Sequence, residues 1–150
     1  MGKVIGIALI DRKGGPVVVH SSAKVTIKKG VGDDHRGRDV ENKDRQVSVI
    51  AQEDWDIVCS ELGTKLHWTT RKANIMVSGV DLVDSIGDIL KIGNFYIEIT
   101  GKMLSGSSMD EQFLGLKDAL AKDWRSGVVG KVLNDGFINE NDLVTMMERA

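Results

Sequence analysis

Residues 3–10 form an apolar run in which Val4, Ile5, Ile7, Ala8, Leu9 and Ile10 leave little room for polar side chains. The run breaks at Asp11-Arg12-Lys13 and lacks a small-residue cleavage site, so it predicts a first strand rather than a signal peptide. Val and Ile return over residues 17–27, where Ala23, Val25 and Ile27 alternate with Lys24, Thr26 and Lys28. That period of two predicts a strand with one face in the core. Residues 30–45 are different, a polar tract dense in Gly, Asp and Arg. Its length marks it as either a functional loop or a disordered one.

Apolar character resumes over residues 46–51 as a strand, and over 52–62 the period changes. Trp55, Val58, Cys59 and Leu62 fall at i, i+3, i+4 and i+7, which predicts a helix, and Gly63 is placed for its left-handed cap. Residues 75–80 predict another strand, and 89–92 with 95–99 predict a hairpin around Gly93-Asn94. A second helix is predicted from Ser108. Ser108 and Glu111 have capping-box spacing, Met109, Phe113, Leu116 and Leu120 form its stripe, and Gly115 is its weak point. Residues 128–133, Asn134-Asp135-Gly136 and Phe137-Ile138 predict a last hairpin, while 143–147 fits strand or helix. Many short strands beside two clear helices predict a mainly β (α+β), barrel-like fold, not an alternating α/β sheet. No repeat or linker divides the chain, so residues 1–150 are read as one domain.

At 150 residues the chain has enough material for one proper core. A net charge of -2 argues against nucleic acid as partner, and no stretch is long and apolar enough to predict a membrane span. The single cysteine, Cys59, excludes an internal disulfide and fits a reducing compartment, so the cytoplasm is the expected location.

Candidate chemistry is sparse. His20, His35 and His67 lack short metal-ligand spacing and a cysteine partner, so no metal site is predicted, and no Gly-x-Ser-x-Gly elbow supports a serine hydrolase. Cys59 is a possible sulfur carrier by its chemistry, but its place on the apolar helix face favours an inert core thiol. In Gly30-Val31-Gly32-Asp33-Asp34-His35-Arg36-Gly37-Arg38, glycine-spaced N–H groups and two guanidiniums suit a phosphate. A solvated turn with Asp and Arg paired among themselves explains the same residues. Thr69-Thr70-Arg71-Lys72-Ala73-Asn74 gathers hydroxyl, cationic and amide groups that suit a phosphate or pterin-like ligand, beside Trp68, whose indole suits stacking. A polar lead-in to a strand is the alternative.

Taken in order, these segments resemble the MOSC domain family. The resemblance rests on Gly30-Val31 through Gly37, Asp44-Arg45-Gln46-Val47-Ser48-Val49-Ile50, and Thr70-Arg71-Lys72-Ala73-Asn74 with residues 75–82. It continues through Ile92-Gly93, Glu98-Ile99-Thr100-Gly101, Met109-Asp110, Gly115-Leu116, Trp124-Arg125-Ser126-Gly127-Val128 and Val132-Leu133. The stand-alone bacterial members are the nearest type. The resemblance implies a closed β-barrel with two or three small flanking helices. It also implies a molybdenum-cofactor-type or other phosphate-bearing ligand, held by Asp34, His35, Arg36, Arg71, Lys72 and Asn74. By the same resemblance, the family is associated with a pyridoxal-phosphate-dependent cysteine desulfurase and with molybdenum enzymes, which are the implied partners.

Two positions depart from the family pattern. Ser105-Gly106 stands in the place of a Pro-Cys pair, with neither Gly106 nor Ser107 offering a soft molybdenum ligand, and Asp33 stands where the family prefers glycine. Three readings follow: an anionic-ligand domain lacking the usual cysteine bond, a sulfur carrier working through Cys59 or with a desulfurase, and a non-catalytic module in a larger complex.

Overall fold

The computed structural model describes residues 2–38, 43–106 and 108–147. Strand β1 (Gly2–Leu9) is the hub of the architecture. One edge pairs antiparallel with β6 (Ile75–Ser78). The other edge pairs first with β11 (Leu143–Met147), through Gly2↔Val144, and then with the short β2 (Val18–His20). From β6 the sheet continues through β5 (Val47–Ala51), β9 (Val128–Val132), β8 (Phe95–Lys102) and β7 (Ile89–Ile92) to β11. The β1–β11 pairing closes these seven strands into a mixed barrel, with β2 appended. Among the strand pairs of the described residues, only β5 and β6 run parallel. A second, three-stranded sheet sets β3 (Ser22–Thr26) between β4 (Gly30–Val31) and β10 (Gly136–Asn139).

Parallel strands need a crossover, and helix α2 (Gln52–Leu62) supplies it. Alternation along β5 explains why this strand is buried on both faces. Val47, Val49 and Ala51 point into the barrel with Ile75 and Val77 of β6, Leu90, Ile92, Phe95, Ile97 and Ile99. Ile50 and Met76 point outward against Trp55, Val58 and Cys59 of α2, and against Leu116 and Leu120. The barrel core and the helical layer therefore share β5 and β6.

The described residues contain four α-helices rather than two or three. One is a single turn, α1 (His35–Arg38), in the polar tract whose residues 39–42 lie outside the described set. The helix predicted from Ser108 is broken into α3 (Ser108–Gln112) and α4 (Leu116–Ala121), because Gly115 adopts φ 93° between them. Gly63 does cap α2 in the left-handed region, with φ 65°. The hairpin around Gly93 forms as predicted, and residues 143–147 are strand.

The predicted hairpin over residues 128–138 does not form. β9 pairs with β5 and β8, whereas β10 crosses to β3 in the other sheet. Residues 17–27 likewise divide between the two sheets, and Ile27 falls in the turn after β3, where it is 51% exposed. No helix among the described residues is long and apolar enough to cross a membrane.

Candidate functional site

The polar tract folds onto the barrel through one carboxylate. Asp34 immediately precedes α1 and is almost wholly buried. Its Oδ2 accepts from Ile10 N at 2.8 Å, Asn74 Nδ2 at 3.0 Å and Arg36 Nη2 at 2.7 Å. Its Oδ1 accepts from Arg36 N and Nε, each at 2.9 Å. Burial works to raise the Asp34 carboxyl, but the hydrogen bonds from Arg36 and Ile10 and the Arg36 charge outweigh it and hold the group below its ordinary value. The pairing of Asp and Arg within the tract is therefore real, but it is buried structure and not a solvated turn.

Asn74 completes this network from the head of β6. Its Oδ1 accepts from Ser48 N at 3.1 Å and Ser48 Oγ at 3.3 Å, while its Nδ2 donates to Ala8 O at 3.3 Å and to Asp34. Its own N–H donates to Ser48 Oγ at 2.9 Å. The amide thus ties β1, β5 and the α1 loop together, and both its donors are occupied. A direct contact from Asn74 to a ligand ring, as the sequence suggested, has no donor left to make it.

Arg36 reaches further, donating through Nη1 to the carbonyl of Lys72. Lys72 itself caps the 3-10 turn Trp68–Arg71 with φ 64°, and its side chain is exposed. It meets the network through its backbone. His35 is half-buried, and its N–H donates to Ile10 O at 2.9 Å, which pins α1 to the end of β1. Trp68 packs over Gly6, where an added Cβ would lie 2.6 Å from the indole, so one ring face is covered by β1.

Arg71 stands apart from these satisfied groups. It is 6% exposed, and Nη2 donates to Leu104 O at 3.3 Å. Its Nε is buried with no hydrogen-bond partner, and no carboxylate among the described residues pairs with it. Desolvation, together with the nearby Arg36 charge, pushes it down to about 10. That is far above neutrality, so the guanidinium stays charged and its burial remains an uncompensated cost.

Leu104 opens the segment that carries Gly106. A Cβ added at Gly106 would meet nothing nearer than Ser108 Oγ at 3.9 Å, so this position borders open space. Ser107 lies outside the described residues. Cys59 is in the helical layer, 8% exposed, with Sγ 3.9 Å from Leu66 O. Among the described residues no set of His, Cys, Asp and Glu converges to hold a metal ion.

Of the residues singled out from sequence, the structure joins Asp34, Arg36 and Asn74 directly and brings in the Lys72 backbone, with Arg71 close enough to feel Arg36. Ser48, Ile10 N and Leu104 O were missed. Ser48 alone left a signal, as a hydroxyl inside the apolar stretch Val47-Ser48-Val49-Ile50. The two backbone groups carry none.

The chain is a small closed mixed barrel with a crossover helix, and it carries a buried carboxylate–amide network beside an arginine that has no carboxylate partner among the described residues. Several crystal structures share the fold, and three of them show the extent of the likeness. The YUAD protein from Bacillus subtilis superposes with a TM-score of 0.77 at 15% identity, over 100% of this chain and 98% of its own. YiiM from Geobacillus stearothermophilus gives 0.70 at 16% identity, over 99% and 76%. YiiM from Escherichia coli gives 0.72 at 13%, over 99% and 71%. A search of curated proteins finds no match. The MOSC domain model matches residues 32–145, and the chain belongs to the MOSC domain family.

Proposed function

We propose that this domain binds a small phosphate-bearing ligand of the molybdenum-cofactor kind at Arg71. The observation that carries the reading is the buried guanidinium with an orphan Nε and no carboxylate partner. Folding does not leave a charged donor unsatisfied without a reason, and an anion on Nε would supply the missing acceptor. The same anion would offset the repulsion between Arg71 and Arg36. Asp34 and Asn74 act as positioning residues, since they hold Arg36 and, through it, the Lys72 carbonyl beside Arg71.

The residues present fit the anionic part of such a cofactor and not a bond to its metal. The one thiol of the chain, Cys59, sits in the α2 layer. When bound, a cofactor of this class supplies redox or sulfur-transfer chemistry at its metal. This chain's contribution is to bind and orient the phosphate. A molybdenum enzyme would be the acceptor of such a ligand and a cysteine desulfurase a source of sulfur for it, in keeping with an intracellular role.

Thermal unfolding in phosphate, compared with chloride at equal ionic strength, tests the proposal. A ligand at 100 times its Kd adds about 2.7 kcal/mol, so phosphate should raise Tm by several degrees over chloride. Arg71→Met should abolish that difference. Equal curves in the two salts, or an undiminished phosphate effect in Arg71→Met, would sink the reading.

A further inference from the structure

A second feature, on the small sheet, is independent of Arg71. A cavity of about 640 Å³ lies against the β3–β4 turn, lined by Lys24, Ile27, Lys28 and Lys29 together with Gly32 and the carboxylates Asp33 and Asp135. Its volume is in the range of small-molecule sites, roughly 300–1,000 Å³. Lys43 adds a further ammonium at the same turn, where its Nζ donates to Lys28 O at 2.8 Å. The chain as a whole carries a net charge of -2, so this concentration of cations is local.

The acidic groups at the cavity balance it only in part. Asp33 approaches Lys29 at 3.6 Å, but their side chains are 74% and 48% exposed, so the pair is weak. Asp135 keeps its charge while accepting the Ile27 N–H at 2.9 Å, so the two carboxylates offset part of the lysine charge and leave an excess of cations. Lys24 and Lys28 have no carboxylate partner among the described residues. Several ammonium groups on one turn repel one another until a multivalent anion joins them.

Apolar surface sits beside the charge. Ile27 is 51% exposed and Phe137, on β10, is 58% exposed. Phe137 is the direct partner of Lys24 across the β3–β10 ladder, so both project from the same outer face. An exposed aromatic ring next to an ammonium cluster matches a molecule with a flat ring at one end and phosphates at the other.

We infer that this cavity binds a nucleoside polyphosphate, with the phosphates on Lys24, Lys28 and Lys29 and the base against Phe137. A nucleic-acid strand offers the same chemistry, but it would be expected on a longer basic stripe than a single concavity.

Calorimetric titration of the full chain with ATP, inorganic triphosphate and a single-stranded oligonucleotide at about 0.15 M salt tests the site. ATP should bind, and triphosphate should bind more weakly. Lys24→Glu with Lys28→Glu should weaken ATP by at least about tenfold. Phe137→Ala should reduce ATP to the level of triphosphate while leaving triphosphate unchanged. Arg71→Met should leave ATP binding intact, which separates this site from the phosphate site proposed above. The inference fails if ATP does not bind, if the lysine variant binds it normally, if Arg71→Met alone removes it, or if the oligonucleotide binds more tightly than ATP. All the substituted residues at the cavity are exposed, and circular dichroism of each variant checks that it is folded.

Discussion

Asp34 holds its proton loosely because five donor contacts converge on its two oxygens. Replacing it with Asn removes the charge that compensates Arg36 and turns an acceptor edge into a donor facing other donors. Asp34→Asn should cost about 3 kcal/mol at neutral pH, as expected for one partner lost from a buried pair. The pH dependence has a definite sign. The folded-state value lies below the ordinary 3.8, so the Asp34 contribution is complete above 3.8 and disappears as pH falls through the folded value. Urea unfolding at neutral and acid pH should therefore show the gap between parent and variant narrowing progressively as pH falls below about 3.8 toward the folded value, and a gap that stays constant across the acid range would refute the assignment. Arg71 behaves in the opposite way. A methionine of similar length removes a buried, repelled charge, so Arg71→Met should leave the ligand-free protein at least as stable as the parent and raise it by up to roughly 3 kcal/mol. A marked loss of stability would mean that Arg71 is a structural cation. The sequence located both residues but not this contrast, because it depends on Ile10 at the end of β1, on Asn74 at the head of β6 and on a carbonyl at Leu104.

Two glycines separate the cost of backbone strain from the cost of space. Gly63 ends α2 at φ 65° with nothing within 4 Å of an added Cβ, so Gly63→Ala should cost only the left-handed penalty, about 1–2 kcal/mol. Gly127 leads into β9 at φ 93°, and a Cβ there would lie 2.3 Å from the Val49 carbonyl oxygen and 2.7 Å from Ile50. Backbone must move, and both β5 and β9 are ladder strands. Gly127→Ala should cost about 4 kcal/mol or more, measured by the same urea titration, and comparable losses in the two variants would contradict this account. The elements themselves were unevenly legible. α2 was readable end to end because its periodicity runs uninterrupted into a glycine cap. The helix from Ser108 was misread because a capping box and apolar stripe are local signals, whereas the break comes at Gly115, which takes φ 93° with Leu62 only 3.1 Å from where a Cβ would lie. The false hairpin at 128–138 shows the same limit. Asn134-Asp135-Gly136 has turn chemistry, but β9 was already committed to β5 and β8.

The whole molecule rests on one long-range agreement. Strand alternation made a barrel readable, yet nothing local announces that Gly2 will face Val144 or that β5 will be covered on both sides. Removal of β11 would leave β1 and β7 with unpaired backbone edges and uncover Leu90 and Ile92, which are fully buried in the intact barrel. A chain cut after residue 139 should therefore recover in the insoluble fraction, or as aggregates by light scattering, while a soluble monomer with native circular dichroism would disprove the dependence on closure. The β1–β11 seam also has a consequence in the life of the chain on the ribosome. β1 is made before β11 and must wait, with one edge open, until the strand that seals it has been synthesised and has left the exit tunnel. During that interval the open edge of the hub strand can pair with other chains, and its protection falls to whatever holds unfinished chains apart.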